Sequence, residues 1–510
     1  MLNQYRVTMI FNVVMVTLIT ITGLILRLDN LEQWWLNPDE GIYFAIATQK
    51  SFAHVIAATI MHAHPPLYYV LLWLAARITT EFQNLRLLSV LFGTLTIPLT
   101  FYLSRLVTTL ALHKKNEPLN NILHTLLPLS LTLGVAMTPA SIILAGVLRP
   151  YALLVFLTTL TIIYGLKSNN ENAKKYDQLI YQICLSLTIL THYSGALIMI
   201  IMARLWPTIS KWFKTHLEVL IVLLFVVGIN LQFVIKKPVI WNFKKSYLDD
   251  QYFTSLTDLV KLPLELLAFN GTPFFALPLL VISILAFIVS ASKHKDTPAV
   301  LSFSSFTIPL TFALLGLYPY GGSRHTYYLL PFIVTSISYI ITYATTSALI
   351  AFIIAATLFP YSNQFISLKH QPSEERTLAI ADLDKITKQL QSLDWQKSNI
   401  VIDEQTRFTL GPWIKYTFNN IVPEGRAFFT PDHWILGLAE PIETEIPKRL
   451  KTILNAFHEK WHNEAWYVLT SGWNLKDIKP ALPPGDSTIF LVQVATSPEI
   501  NNIALQHTID

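Results

Sequence analysis

Two adjacent acids, Asp39 and Glu40, stand in the stretch "NPDEGIYFAIA" (37–47), just after the first long apolar run. A carboxylate so placed can take the proton of a hydroxyl as a general base. It can also do no more than start a helix: Asn37 suits a cap, Pro38 suits the first helical position, and Glu40 follows the cap by three residues. Further polar outliers punctuate the chain in "MHAHPPLYYVLLWL", "VLRPYALLVF", "LTHYSGAL" and "YPYGGSRHTYYLLPF". Arg149 and Arg324 each stand at the start of an apolar run. There a helix N-terminus and a two-pronged guanidinium together favour a phosphate. Attack on an activated sugar carbon needs a base, and a phosphate leaving group needs positive charge. Asp39 would supply the first, and Arg149, Arg324 and His64 the second.

Each member has a plainer role open to it. An arginine at the end of a span can simply reach the lipid headgroups. His62, His64, His192 and His325 can be unrelated interfacial histidines. The His-x-His of 62–64 lies in a loop with no fixed partner, so no metal ligand is assigned, and a divalent metal is the one cofactor left open. Tyr68, Tyr69, Tyr151, Tyr193, Tyr327 and Tyr328 also fit an interfacial aromatic belt.

The elements that must position these residues are apolar helices. The chain has 510 residues, 52% hydrophobic and 14% charged, with a mean hydropathy of +0.45, which excludes an ordinary soluble domain. The single cysteine, Cys184, excludes an intrachain disulfide. No Walker loop, dinucleotide fingerprint or nucleic-acid module is visible, so no nucleic-acid partner is expected. The first apolar run, 7–26, is long for a signal core and lacks a small-residue cleavage site, and reads as an anchor.

Counting 66–78 as a span scatters the lysines over both sides of the membrane. Reading it as a short surface or re-entrant helix puts Arg6, Lys114, Lys115, Lys167–Lys175, Lys211, Lys214, Lys293 and Lys295 on one side, which is then cytoplasmic. About 11 spans result, near 7–26, 87–106, 122–144, 151–166, 179–191, 196–209, 217–235, 274–291, 300–317, 327–344 and 347–359. All the polar outliers then fall on the outer face. The expected fold is a polytopic α-helical membrane protein: a transmembrane part over 1–360 with a first outer loop at 29–86, and a soluble extracytoplasmic α/β domain over 361–510. In that tail "SNIVIDE", "AWYVLTS" and "STIFLVQVA" read as strands and "IPKRLKTILNAFHEKWH" as an amphipathic helix. An outer amphipathic stretch, "SLTDLVKLPLELLAF", precedes the eighth span.

"NPDEGIYFAIA", followed by "HAHPPLYYVLLWLAARI" and "NLRLLSVLFGTLTIPLTFYLSRL", resembles the polyprenyl-phosphate-dependent glycosyltransferases of GT-C fold. "LRPYALLVFL" and "SRHTYYLLPF" also match segments of that family, so the resemblance covers about 7–359. It implies an acid at the reaction centre, falling on Asp39 with Glu40 beside it. It implies a donor phosphate faced by His64, where many relatives carry Lys or His. Arg149 and Arg324, at the starts of their apolar runs, with Tyr151, Tyr193 and His325, complete the expected donor-binding set. Many relatives carry an Asp where this chain reads Arg149-Pro150-Tyr151, while others carry Arg-x-Tyr as here, so no second catalytic acid is assigned. The implied activity moves a sugar from a polyprenyl-phosphate donor to a lipid, glycan or protein acceptor at the outer face of a bacterial plasma membrane. A transporter or flippase of lipid-linked sugars is the alternative, disfavoured because the spans hold little buried charge and show no internal repeat.

Overall fold

The computed structural model describes residues 2–29, 31, 34, 36–49, 51–60, 64–115, 123–170, 173–206, 208–236, 251–270, 297–344, 398–403, 466–469, 488–493 and 504–508. In chain order the helices are α1 (Leu2–Leu28), α2 (Pro38–Ala47), α3 (Phe52–Ile60), α4 (Leu67–Ala75), α5 (Phe82–Lys115), α6 (Leu123–Met137) and α7 (Pro139–Ala145). They continue with α8 (Tyr151–Ser168), α9 (Lys175–Thr191), α10 (Ser194–Ala203), α11 (Ile209–Lys236), α12 (Asp258–Asn270), α13 (Thr297–Leu314) and α14 (Leu330–Ala344). Two compact units divide the chain: the first takes 1–29, 63–71 and 84–370, the second 30–62, 72–83 and 371–510.

In the first unit the helices are apolar on most sides. Among the described residues α1, α5, α8, α11 and α13 are each long and apolar enough to cross a membrane, and the bent pair α6–α7 makes a sixth. These correspond to six of the expected spans. The helices expected at 179–191, 196–209 and 327–344 are present as α9, α10 and α14, the last two shorter than expected. The spans at 274–291 and 347–359 lie outside the described residues. The segment 66–78 holds only the nine-residue α4, too short to cross a bilayer.

Burial separates core helices from lipid-facing ones. The apolar window of α8 is 72% buried, against 17% for α1 and 22% for α11. Around α8 the core gathers Leu154, Val155 and Ile162 with Tyr181, Leu185 and Ile189 of α9, Ile198 and Ile201 of α10, and Phe332 and Ile337 of α14. Small polar residues also join helices where apolar attraction to lipid and to protein is similar. Ser338 of α14 donates to Ser104 of α5 at 2.8 Å.

The span expected at 122–144 is present but bent near its C-terminal end. Pro139 has no N–H to continue the helix, and α6 and α7 meet at 53°. The carbonyls released at that break find a donor in Arg27 of α1. Its guanidinium reaches Ala136 O at 3.0 Å and Val135 O at 3.4 Å, while it also bonds Gly23 O at 2.9 Å.

In the second unit, α2 begins with a closed capping box. The Glu40 amide donates to Asn37 Oδ1 at 2.9 Å, and the Asn37 amide to a Glu40 carboxylate oxygen at 3.1 Å. Past the end of α2, Gln49 O accepts from Trp73 Nε1 at 3.1 Å and from Arg77 at 2.7 Å, and the Arg77 guanidinium lies 4.8 Å from the centre of the Trp73 ring. The same unit holds a sheet of β1 (Ser398–Asp403), β2 (Trp466–Leu469), β3 (Thr488–Gln493) and β4 (Ala504–Thr508), in the order β2-β1-β3-β4. β1 pairs in parallel with β2 and β3, and β4 closes one edge antiparallel to β3. The first three strands fall where the alternating pattern put them, β4 was not foreseen, and the expected helix "IPKRLKTILNAFHEKWH" lies outside the described residues.

Candidate functional site

Four chain turns of the first unit converge: the lead into α4, the lead into α8, the α9–α10 turn and the 3-10 turn Arg324–Leu329 before α14. Each is placed by local chemistry. Tyr68, just past Pro65–Pro66, shares a 2.5 Å hydrogen bond with Ser89 of α5, and Ser89 donates on to Arg149 O at 3.3 Å. The His-Pro-Pro segment is thereby tied to the backbone of Arg149. The 3-10 turn is fixed to α7 by Tyr327 O–H donating to Ser141 at 2.9 Å, and Tyr318 O–H donates to His325 O at 3.0 Å. The Thr326 hydroxyl bonds Gly321 O at 2.8 Å. Gly322 lets this loop lie against α12, since a Cβ there would run into the carbonyl of Glu265. The α9–α10 turn is equally tight: a Cβ on Gly195 would stand 2.5 Å from Ile189 Cα and 2.7 Å from its nitrogen.

These turns bring together His64, Arg149, Tyr151, Tyr193, Arg324 and His325 of the expected set. The Arg149 guanidinium lies 5.2 Å from the centre of the Tyr151 ring. The His64 ring stacks with Tyr193 at 6.3 Å and lies 5.2 Å from His192, which is 5.6 Å from Tyr151. Arg149 and Arg324, with His192 and His325, all act electrostatically on His64. Burial first, then these neighbours, push the His64 imidazole well below its ordinary value, so it is neutral at pH 7. Burial and Arg149 lower His192 to about 3. Two guanidinium groups thus supply positive charge around His64 and His192, whose rings are uncharged at pH 7.

Asp39 and Glu40 belong to the second unit. Glu40 is fully buried and its carboxylate closes the α2 cap, while Asp39 on the same first turn is half-buried. His62 lies outside the described residues. Among the described residues no three His, Cys, Asp or Glu side chains are grouped as a metal ion would need.

His192 is the member that sequence reasoning left unassigned. It is 3% exposed, and its Nδ1 accepts the Ser194 N–H at 3.2 Å and lies 2.9 Å from Ser194 Oγ. The signal was present in "THYSG", where a histidine two residues before a serine sits in the turn between two apolar runs.

Two of the basic residues that set the expected sidedness, Lys167 and Lys174, lie at the other end of α8 and α9. Lys167 ends α8, with its ammonium 4.9 Å from the Tyr102 ring centre and 5.1 Å from that of Tyr164, and Lys174 caps the start of α9. The 18 residues of α8 separate the two ends by about 27 Å.

No family model matches the chain, and no curated protein sequence matches it. Among solved structures it is similar to ArnT from Cupriavidus metallidurans in the apo state, at 14% identity and a TM-score of 0.41, over 65% of this chain and 59% of that one. It is similar to the same protein bound to undecaprenyl phosphate at 13% identity and a TM-score of 0.39, over 88% of this chain and 80% of that one. It is also similar to the archaeal oligosaccharyltransferase AglB from Archaeoglobus fulgidus in complex with an inhibitory peptide and a dolichol-phosphate, at 13% identity and a TM-score of 0.43, over 94% of this chain and 69% of that one. At these identities and TM-scores they are likenesses only, and the chemistry has to come from the residues themselves.

Proposed function

We propose that this chain is an integral-membrane glycosyltransferase that moves a sugar from a polyprenyl-phosphate donor to a hydroxyl of a lipid, glycan or protein acceptor. The observation that carries this is the convergence of two guanidinium groups and neutral imidazoles at one end of an otherwise apolar helical bundle. A buried cationic cluster of that kind suits a phosphate whose lipid tail lies among the helices. Arg149 and Arg324 hold the phosphate, His64, Tyr151, Tyr193 and His325 line its site, and Asp39 takes the acceptor proton. Glu40 is a positioning residue, since its carboxylate is committed to the helix cap. The resemblance of the 37–47 and 64–78 motifs to lipid-linked glycosyltransferases supports the same assignment. The site faces outward from the plasma membrane of a bacterium, 1–360 carry the transferase, and 361–510 form an extracytoplasmic α/β domain.

The test uses purified protein in lipid nanodiscs with a panel of polyprenyl-phosphate sugars, followed by mass spectrometry for released polyprenyl phosphate and glycosylated acceptor. Release from at least one donor, lost in Asp39→Asn, is the expected result. It also separates a transferase from a transporter, which would move the donor intact. Absence of release from every donor, with no binding of polyprenyl phosphate, would overturn the assignment.

A further inference from the structure

The turn that carries His192 fixes which of its ring nitrogens bears the proton. A backbone N–H can only donate, and the Ser194 N–H points to Nδ1 at 3.2 Å. Nδ1 is therefore the lone-pair nitrogen, and in the neutral ring the proton is on Nε2. Nε2 is buried and has no hydrogen-bond partner among the described residues. A buried donor in that condition calls for a ligand. Its surroundings say which kind. The ring lies beside both His64 and Tyr151, and the charge of Arg149 acts on it. An oxygen that accepts from Nε2 while resting beside a guanidinium is best served by negative charge.

We propose that His192 is a ligand-binding residue whose tautomer is locked by Ser194, so that its Nε2–H donates to a phosphate oxygen of the lipid-linked substrate. This rests on the proposed function, because it assumes that the cluster receives a phosphate. It adds to the two arginines a neutral donor with a fixed direction. A third cation would raise affinity for any anion, whereas an uncharged N–H adds direction without charge.

Two substitutions separate this from a purely local role. His192→Asn places an oxygen where Nδ1 stands, so it can still accept the Ser194 N–H, but it is too short to reach the site. His192→Gln reaches the position of Nε2 with an amide N–H but gives up the contact to Ser194. The probes are undecaprenyl phosphate and the corresponding alcohol, undecaprenol, with binding measured on detergent-purified full-length protein. The parent is expected to bind the phosphate and not the alcohol. His192→Asn should weaken phosphate binding roughly ten- to a hundredfold, and His192→Gln should stay within about threefold of the parent. If the histidine only holds its turn, the order reverses, with Asn like the parent and Gln impaired, and the inference falls. Equal affinities for all three proteins also overturn it while leaving the proposed function standing. A parent that does not distinguish phosphate from alcohol overturns both. Should His192→Asn fail to fold, His192→Leu, which offers no donor, takes its place: loss of phosphate affinity in the Leu variant with the Gln variant near the parent supports the donor role, and equal affinities of the two refute it.

Discussion

Arg27 of α1 donates to Ala136 O across 109 residues of chain, and it does so where Pro139 breaks a membrane helix. Replacing Arg27 with Leu leaves the Ala136 and Val135 carbonyls without that donor. Each such group costs about 1–3 kcal/mol when buried. We expect Arg27→Leu to shorten the half-life of the detergent-purified protein at elevated temperature, with Arg27→Lys intermediate because a compact ammonium does not match the spread of the guanidinium's donors. Time courses of monodisperse protein by size-exclusion chromatography provide the measurement. A Leu variant as long-lived as the parent would show that the bend holds without the clamp.

The acid pair can be taken apart by conservative changes. Glu40→Gln keeps a capping-box side chain, so transfer should stay within about threefold of the parent. Asp39→Asn keeps the shape of the first turn but removes a base, and transfer should drop by at least ~100-fold. Rates in nanodiscs at saturating donor are compared. The reverse ranking would move the base from Asp39 to Glu40.

Arg149 and Arg324 should respond to lysine in a way that anchors do not. Lysine also reaches headgroups, so a snorkelling arginine would tolerate it. A guanidinium gripping a phosphate would not, and a lost charge-assisted bond of roughly 1.5–3 kcal/mol corresponds to about ten- to a hundredfold in donor affinity. Donor-concentration curves for Arg149→Lys, Arg324→Lys and the two alanine variants should show raised KM, with alanine worse than lysine. Four curves matching the parent would leave both residues as anchors.

The imidazoles give a pH signature with a definite sign. His192 is lowered from 6.5 to about 3 by burial and Arg149, and His64 also falls well below 6.5. An unfolded chain takes up these protons near 6.5, whereas the folded chain does not until far lower pH. Their contribution to stability is thus complete above 6.5 and is lost progressively as pH falls toward 3. The half-life of the purified protein should shorten between about pH 7 and 5, and His192→Gln should soften that dependence. Binding of a lipid phosphodiester should stay flat between about pH 8 and 6, because neither ring gains charge there. Tighter binding at the acid end would mean that an imidazole titrates in the site.

The helices were legible where composition alone determines them. Long apolar runs located α1, α5, α8 and α11, and the Asn-Pro-Asp-Glu order located the cap of α2. The bend at Pro139 was missed because an average over 122–144 registers hydropathy and not the absence of one N–H. Arg27 was passed over as the end of a span, since only the packed bundle shows which carbonyls need it. The gathering of His64, Arg149, Tyr151, Tyr193, Arg324 and His325 followed from sidedness, which puts residues distant in sequence at one level. The role of His192 did not follow, because tautomer and direction depend on a backbone N–H whose position exists only after the turn has formed.

α8 is tied to α5 at both ends, by Ser89 donating to Arg149 O and by Lys167 lying over the Tyr102 ring. It behaves as a ruler. With its two ends about 27 Å apart, the cluster sits at a set depth, and a bilayer of different thickness must tilt the bundle or deform around it. A lipid whose charged head lies at that level meets the arginines without leaving its leaflet, and one whose phosphate lies shallower or deeper does not. Under the proposed function, bilayer thickness would then act as a selectivity filter ahead of the sugar.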